Sequence, residues 1–198
     1  MILVLALILF VFFLMPTYQR PVLLPQMLSR EECDHIKKQA LPRFRPSTVG
    51  GNYQVNKNIR QSETAWLGME DPVVRRIMER CLEHVDRPLQ NCEKLQVLRY
   101  RPGGFYKPHF DAFSDNPESN PRMYTFILAL NDEYEGGETA FPRLKSEYKL
   151  RTGDGLLFEN LDNYEFMTSK AYHGGKPVTR GEKWVCNLWV HKYPFFLE

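Results

Sequence analysis

Three side chains that can bind a transition metal are spaced as one shared site would require: His109, Asp111 and His173. In an extended strand, residues i and i+2 point to the same side, so His109 and Asp111 would project together from one strand. His173 lies far along the chain, and the fold must bring it in from a distant strand or turn. Two histidines and one carboxylate on one side of an ion leave positions open for other ligands, as in non-haem Fe(II) sites that activate dioxygen. The three residues therefore indicate metal-dependent oxidation.

A histidine two residues from an aspartate is weak evidence on its own, because such a pair is more often a surface pair or a satisfied core histidine. The chain has five histidines, and the other three, His35, His84 and His191, have no comparable carboxylate in strand register. His35 and His84 fall in stretches that we expect to be helical, where solvated or capping roles are usual. We predict structural roles for all three.

Lys183 begins an apolar run that continues to Val190. A lysine after a turn is usually a solvated charge at a strand end, but this run is too hydrophobic for an exposed edge strand. Strand parity places Lys183, Val185, Asn187 and Trp189 on one face. A lysine in such a run needs an anionic partner, and its compact ammonium suits the far carboxylate of a dicarboxylate bound to the metal.

Five motifs in chain order resemble the catalytic domain of the prolyl 4-hydroxylase family, within the 2-oxoglutarate- and Fe(II)-dependent dioxygenases. The resemblance runs from about Leu95 to Val190. One such motif would be weak evidence, whereas five in order are specific. They are YRPGGFYKPHFD at 100–111, RMYTFILALN at 122–131, YEGGETAFP at 134–142, TGDGLLF at 152–158 and the segment 173–189.

The resemblance implies that His109, Asp111 and His173 bind Fe(II), and that Lys183 forms a salt bridge with the distal carboxylate of 2-oxoglutarate. It further implies dioxygen as co-substrate, ascorbate as reductant and a proline-containing peptide as substrate. The expected reaction is hydroxylation of peptidyl proline to 4-hydroxyproline with release of succinate and CO2. Lysyl hydroxylases and oxygen-sensing prolyl hydroxylases typically carry arginine at the position of Lys183, so the lysine discriminates between the groups.

Three further positions match the family's pattern. Tyr100 and Trp189 correspond to residues that line the co-substrate pocket, although an aromatic residue in a strand is also ordinary core. Arg122 resembles an arginine placed near the peptide substrate, and a solvated residue at a strand start is the alternative.

The first fifteen residues are uninterruptedly apolar. As a helix they would span about 22 Å against a hydrocarbon core of about 30 Å, which lies between a signal sequence and a short anchor. No basic region precedes them and no clear cleavage site follows, so we predict an uncleaved signal anchor and a domain facing the lumen of the endoplasmic reticulum. A buried core element is the alternative, and the flanking charges do not fix the orientation.

The rest of the chain is predicted to contain a linker at 16–28, a helical support region at 29–93 and the dioxygenase domain at 94–192. Ser29-Arg-Glu-Glu32 has the spacing of a capping box and predicts a helix to about Gln39. Apolar residues at helical spacing predict a second helix from Asp71 to about Val85. The segment 42–65 is expected to be a polar loop, with a substrate-side loop as the alternative.

Short β-rich runs separated by turn residues after Leu95 predict an antiparallel double-sheet fold. The resemblance sharpens this to an α+β, mainly β class: a double-stranded β-helix, or jelly roll, with supporting N-terminal helices. A net charge of +2 gives no reason to expect nucleic-acid binding. Four cysteines show no zinc spacing; Cys186 is predicted to be a core thiol, and a disulfide among the others is open if the domain is lumenal: Cys33, Cys81 and Cys92.

Two other functions remain open at this point. One is a related oxygenase acting on another side chain or on a small molecule, because pocket residues outside the metal site determine that choice. The other is a non-catalytic jelly-roll binding protein, which the intact set of ligands and lysine disfavours.

Overall fold

The fold is described by a computed structural model for residues 15–50, 54–112 and 119–195. Its helices are α1 (Arg30–Ala40) and α2 (Pro72–Leu82). The strands are β1 (Val22–Leu24), β2 (Arg45–Pro46), β3 (Arg60–Gln61), β4 (Glu63–Leu67), β5 (Leu95–Tyr100), β6 (Phe105–His109), β7 (Arg122–Ala129), β8 (Tyr134–Gly136), β9 (Thr139–Phe141), β10 (Ser146–Tyr148), β11 (Gly155–Glu159), β12 (His173–Gly175), β13 (Val178–Gly181) and β14 (Lys183–His191).

Both helices begin where their capping residues predict. Ser29 caps α1 in a complete capping box with Glu32, and the Asp71 side chain accepts hydrogen bonds from two backbone N–H groups of the first turn of α2. His35 Nε2 lies 2.7 Å from Asp71 Oδ2, which joins the two helices. The predicted helices are confirmed, and His35 has a structural contact.

A seven-stranded sheet in the order β1-β11-β7-β14-β5-β4-β2 forms the larger layer. Side chains of β14 alternate across it. Cys186, Leu188 and Val190 belong to the core cluster that also holds the buried faces of α1 and α2, whereas Val185 belongs to the cluster on the opposite face. Burial on both faces explains why this strand is an almost continuous apolar run.

A five-stranded sheet in the order β10-β9-β12-β6-β3 covers that opposite face. Phe141 of β9 packs in one cluster with Leu98, Ile127 and Val185 of the larger sheet. A two-stranded sheet, β13-β8, lies beside them. The predicted mainly β jelly roll with helices outside the strands is confirmed.

Two predicted segments contribute more than expected. Val22–Leu24, within the predicted linker, pairs with β11. The predicted helical support region supplies β2, β3 and β4, so it extends both sheets. Sheet edges carry unpaired backbone hydrogen-bonding groups, and these strands satisfy them. The predicted boundary at 93/94 therefore does not separate two packing units.

Among the described residues, no helix is long and apolar enough to cross a membrane. Residues 1–14 of the predicted anchor lie outside the described ranges. All four cysteines are described, and each is a buried free thiol. Cys186 is thus the core thiol that strand parity predicts.

Candidate metal centre and co-substrate cavity

The pairing of two short strands brings the predicted ligands together. His109 at the end of β6 lies directly opposite His173 at the start of β12. Asp111 follows two residues after the end of β6, in a bend and not in the continuous strand that parity assumed. Asp111 Oδ1 is 3.3 Å from His109 Nε2, and Oδ2 is 3.7 Å from His173 Nε2. One ligand atom from each residue lies within 4.8 Å of the others, close enough to share one ion.

A glycine beside His173 allows the two strands to approach. A Cβ atom on Gly174 would lie 2.8 Å from both the backbone nitrogen of Pro108 and the carbonyl oxygen of Tyr106. Real Cβ contacts are not that short, so a larger residue would push β12 away from β6 and separate the two histidines.

Backbone carbonyls orient both imidazoles. Nδ1 of His109 lies 2.9 Å from the carbonyl oxygen of Lys107, and Nδ1 of His173 lies 2.9 Å from that of Ala171. A carbonyl only accepts hydrogen bonds, so each Nδ1 carries the proton. Each Nε2 is left with a lone pair for a metal ion.

Asp111 is held through one oxygen. Oδ2 accepts hydrogen bonds from Thr125 Oγ1 at 2.8 Å and from Trp189 Nε1 at 2.9 Å. Thr125 Oγ1 in turn accepts from Asn160 Nδ2 at 2.8 Å, so the threonine proton is directed towards the carboxylate. Oδ1 is the oxygen left to face an ion.

The local electrostatics keep Asp111 and His173 in the protonation states that bind a metal ion. Burial opposes ionisation of Asp111, but the neighbouring His173, His109 and Arg122 outweigh it and hold the pKa of this carboxyl well below its usual range. Burial lowers the pKa of His173 to about 4, against the opposing effect of Asp111. At neutral pH the site therefore offers an ionised carboxylate beside a neutral His173.

Lys183 occupies the closed end of the site. Its side chain is buried, and Nζ donates a 2.6 Å hydrogen bond to the carbonyl oxygen of Gly137 and lies 5.6 Å from the centre of the Tyr100 ring. Gly137 has φ +69°, in the left-handed region that favours glycine. Burial lowers the pKa of Lys183 to about 8, and in the described part of the chain no carboxylate lies within ion-pair distance of it.

Two cavities meet at the metal ligands. The smaller, of about 30 Å³, is lined by residues that include Tyr100, His173 and Lys183. The larger, of about 380 Å³, lies on the Asp111 side and opens outwards. Both are lined by Tyr106, His109 and Asn187. A ligand that starts at Lys183 would therefore pass the metal ligands and reach the open cavity.

The donor set fits Fe(II). Two imidazoles with free Nε2 lone pairs and one carboxylate form a site that leaves positions for a second ligand and dioxygen. The buried, unpaired ammonium of Lys183 fits one end of a dicarboxylate, since an ion pair would offset the cost of burying the charge.

Comparisons with known proteins agree with this arrangement. The profile of the 2OG-Fe(II) oxygenase superfamily matches residues 95–191. Prolyl 4-hydroxylase 1 of Arabidopsis thaliana is 32% identical over 195 residues, which cover 87% of this chain and 69% of the plant protein. The chain belongs to the prolyl 4-hydroxylase family. It is therefore an Fe(II)- and 2-oxoglutarate-dependent dioxygenase.

Two further relatives extend the comparison. Prolyl 4-hydroxylase subunit alpha-1 of Mus musculus is 33% identical over 177 residues, 84% of this chain but 33% of that subunit. A viral collagen prolyl hydroxylase of Paramecium bursaria Chlorella virus-1, solved with 2-oxoglutarate, has a TM-score of 0.74 and 28% identity, covering 88% of this chain and 97% of the viral one. The likeness to the viral enzyme extends over almost its whole solved chain.

Within this prolyl 4-hydroxylase domain, Tyr100 and Trp189 lie in different cavities. Tyr100 lines the closed cavity beside Lys183, as the family resemblance implied. Trp189 lines the open cavity instead, because it lies four residues beyond Val185 on the same face of β14 and its Nε1 reaches Asp111. Trp189 was expected to line the co-substrate pocket, and the structure instead places it against Asp111, one of the predicted metal ligands.

Arg122 is buried and lines the open cavity, so the solvated alternative is wrong. Its guanidinium pairs with Glu93 Oε1 at 2.5 Å and stacks 3.6 Å from the centre of the Trp189 ring. His191 Nε2 lies 2.9 Å from the same Glu93 oxygen. Burial disfavours ionisation of Glu93, but the hydrogen bonds from His191 and Arg122 outweigh it and lower its pKa.

Sequence reasoning missed Thr125, Asn160, Glu93 and Arg60. Thr125 carried a signal, because it ends the R-x-x-T pattern on β7 and faces the metal ligands. The other three lie outside the five motifs, and their roles depend on tertiary contacts alone.

Proposed function

We propose that this enzyme hydroxylates proline in peptides at C4, with release of succinate and CO2. The observation that carries the proposal is the position of the three ligands between a closed end holding Lys183 and an open cavity. The co-substrate would occupy the closed side, and the substrate would approach from the open side. Names of relatives that act on proline support this substrate.

The chain's own residues would divide the work as follows. His109, Asp111 and His173 would hold Fe(II), which together with 2-oxoglutarate and dioxygen supplies the oxidant. Lys183 would bind the distal carboxylate and fix the direction of the co-substrate. Thr125 and Trp189 would hold Asp111 through Oδ2.

The open cavity suits an extended, proline-rich chain. Trp66, Tyr106 and Trp189 line it, and the Trp66 and Trp189 ring centres are 6.1 Å apart. Trp66 is 43% exposed, so its ring is accessible to a ligand in this cavity. Proline-rich peptides adopt the polyproline II conformation and dock in aromatic-lined grooves.

The decisive experiment is 2-oxoglutarate decarboxylation by anaerobically iron-loaded enzyme, with and without a proline-rich peptide, read as succinate yield and product mass. A matched peptide with alanine for each proline is the control. We expect succinate to rise with the proline peptide and to equal the gain of one oxygen atom on proline. Oxygen gain on lysine peptides or free proline instead would reassign the substrate.

We further propose that ascorbate is the reductant and that residues 1–15 attach the enzyme to the endoplasmic reticulum membrane, with the catalytic domain in the lumen. The uninterrupted apolar composition of that segment supports the attachment. Alkaline extraction and protease protection of the full chain and of a variant lacking residues 1–15 test it. Extraction of the full chain into the soluble fraction would contradict it.

A further inference from the structure

Arginines dominate the charge of the open cavity. Its lining includes Arg43, Arg45, Arg60 and Arg122, and Asp111 is the one carboxylate among the described lining residues. Arg122 is balanced by Glu93. The charge of the cavity therefore depends on whether the other three arginines also have carboxylate partners.

Arg60 is a buried cation with neutral partners. It is 7% exposed, and its guanidinium donates to Ser62 Oγ at 3.1 Å, to the carbonyl oxygen of Thr48 at 3.4 Å and to Gln96 Oε1 at 3.4 Å. It also lies 4.6 Å from the centre of the Tyr106 ring. Within residues 15–50, 54–112 and 119–195, no carboxylate is within 4.0 Å of it. A buried charge without a counter-ion is costly, and an incoming anion would offset that cost.

Arg43 and Arg45 stand at the exposed rim. Arg43 Nη1 donates to Gln39, through its carbonyl and side-chain oxygens, and Arg45 Nη1 donates to the carbonyl oxygen of Phe44 at 2.8 Å. In the part of the chain that the structure describes, neither forms an ion pair. Both remain able to bind a carboxylate through two parallel hydrogen bonds.

Loading the site does not cancel this charge. A bound dicarboxylate and Asp111 together carry three negative charges. Fe(II) and Lys183 together carry three positive charges, so these groups balance one another. The guanidinium groups of Arg43, Arg45 and Arg60 are then left as the net charge facing the substrate. A cavity of one charge sign raises the local concentration of ligands of the opposite sign.

We infer that the preferred substrate carries aspartate or glutamate beside the target proline, and that Arg43 and Arg45 select it. The inference rests on the proposed function, because it concerns the peptide that enters the same cavity. The shared chemistry is a carboxylate, which a side chain or a free peptide C-terminus could supply.

The test uses amidated proline peptides that are identical except for aspartate or asparagine, placed at each flanking position in turn. We expect KM for the best aspartate peptide to be about two- to fivefold below that of its asparagine partner, as exposed ion pairs allow, and to rise with salt. Binding of the same peptides to metal-free enzyme, measured by fluorescence anisotropy, should show the same preference. A free-acid asparagine peptide that matches the aspartate peptide would assign the effect to the C-terminus.

Matched variants locate the preference. In Arg43→Gln/Arg45→Gln, which keeps Arg60, the ratio between aspartate and asparagine peptides should fall towards one. Arg151→Gln, which removes an exposed arginine outside the cavity, should keep the ratio. Equal use of both peptides by the unaltered enzyme, or preference for a lysine peptide, would overturn the inference while turnover of proline still upheld the proposed function. Failure on every proline peptide would overturn the proposed function itself.

Discussion

Replacing Thr125 by valine tests whether one oxygen of Asp111 is held so that the other can bind the metal. Valine has nearly the shape of threonine but no hydroxyl. The change removes the 2.8 Å hydrogen bond to Asp111 Oδ2 and keeps the one from Trp189 Nε1. It also removes the acceptor of Asn160 Nδ2.

The expected magnitude follows from these contacts. A hydrogen bond to a buried carboxylate contributes about 1.5–3 kcal/mol. Loss of a group that orients a metal ligand typically weakens metal binding by about 10- to 100-fold, a similar free energy. The Asn160 amide, buried and already with an unpaired Oδ1, would lose a donor contact, which costs the metal-free protein about 1–3 kcal/mol in free energy of unfolding.

The assay is anaerobic titration of metal-free enzyme with Fe(II) by calorimetry, beside urea unfolding and kcat at saturating iron. Thr125→Ser is the matched control, because it keeps the hydroxyl and should retain iron affinity. We expect Thr125→Val to fold, to bind iron at least tenfold more weakly and to recover part of its activity at high iron. A folded valine variant whose iron affinity is within about twofold of the parent would refute the positioning role of Thr125.

Three other changes are expected to have distinct effects. His109→Ala or Asp111→Ala should abolish turnover through metal loss, and activity with normal iron content, measured by metal analysis, would contradict the ligand assignment. Lys183→Ala should weaken 2-oxoglutarate binding, measured by calorimetry. Because the pKa of Lys183 is about 8, the affinity of the parent enzyme should fall about tenfold per pH unit above that value, as the ammonium loses its proton. Lys183→Arg should remove this pH dependence. Glu93→Gln should lower the free energy of unfolding by about 3 kcal/mol or more, because it removes one partner of a buried ion pair with Arg122. An unchanged urea midpoint would show that the pair contributes little.

The sequence predicted the parts of the fold that local patterns determine. Capping residues placed both helices, and strand parity placed Cys186 and Lys183 on opposite faces of β14. It did not predict that Val22–Leu24 or the strands between the helices join the sheets. Those strands are two to five residues long, too short for a period to emerge, and pairing with distant edges determines their conformation.

The residues of the site likewise fall into those that the sequence predicted and those that depend on tertiary packing. The metal ligands and Lys183 were predictable because their chemistry is carried by residue type and spacing. Asn160 was not, because an asparagine after a strand is usually a turn residue, and only the packing of β7 beside β11 places its amide against Thr125. The place of Trp189 also depended on packing, since parity gives a face of the sheet but not the cavity to which that face belongs.

Lys183 and Arg60 have one physical property in common that the sequence could not show. Each is a buried cation whose described partners are neutral, so each carries a desolvation cost that the folded chain alone does not offset. Glu93 and Arg122 show the other solution, in which the chain supplies the counter-ion itself. A buried charge that the chain does not balance is stabilised when a ligand supplies the counter-ion. We propose that the co-substrate carboxylate supplies this counter-ion for Lys183 and, by the same reasoning, that Arg60 favours an anion on the substrate side of the cavity.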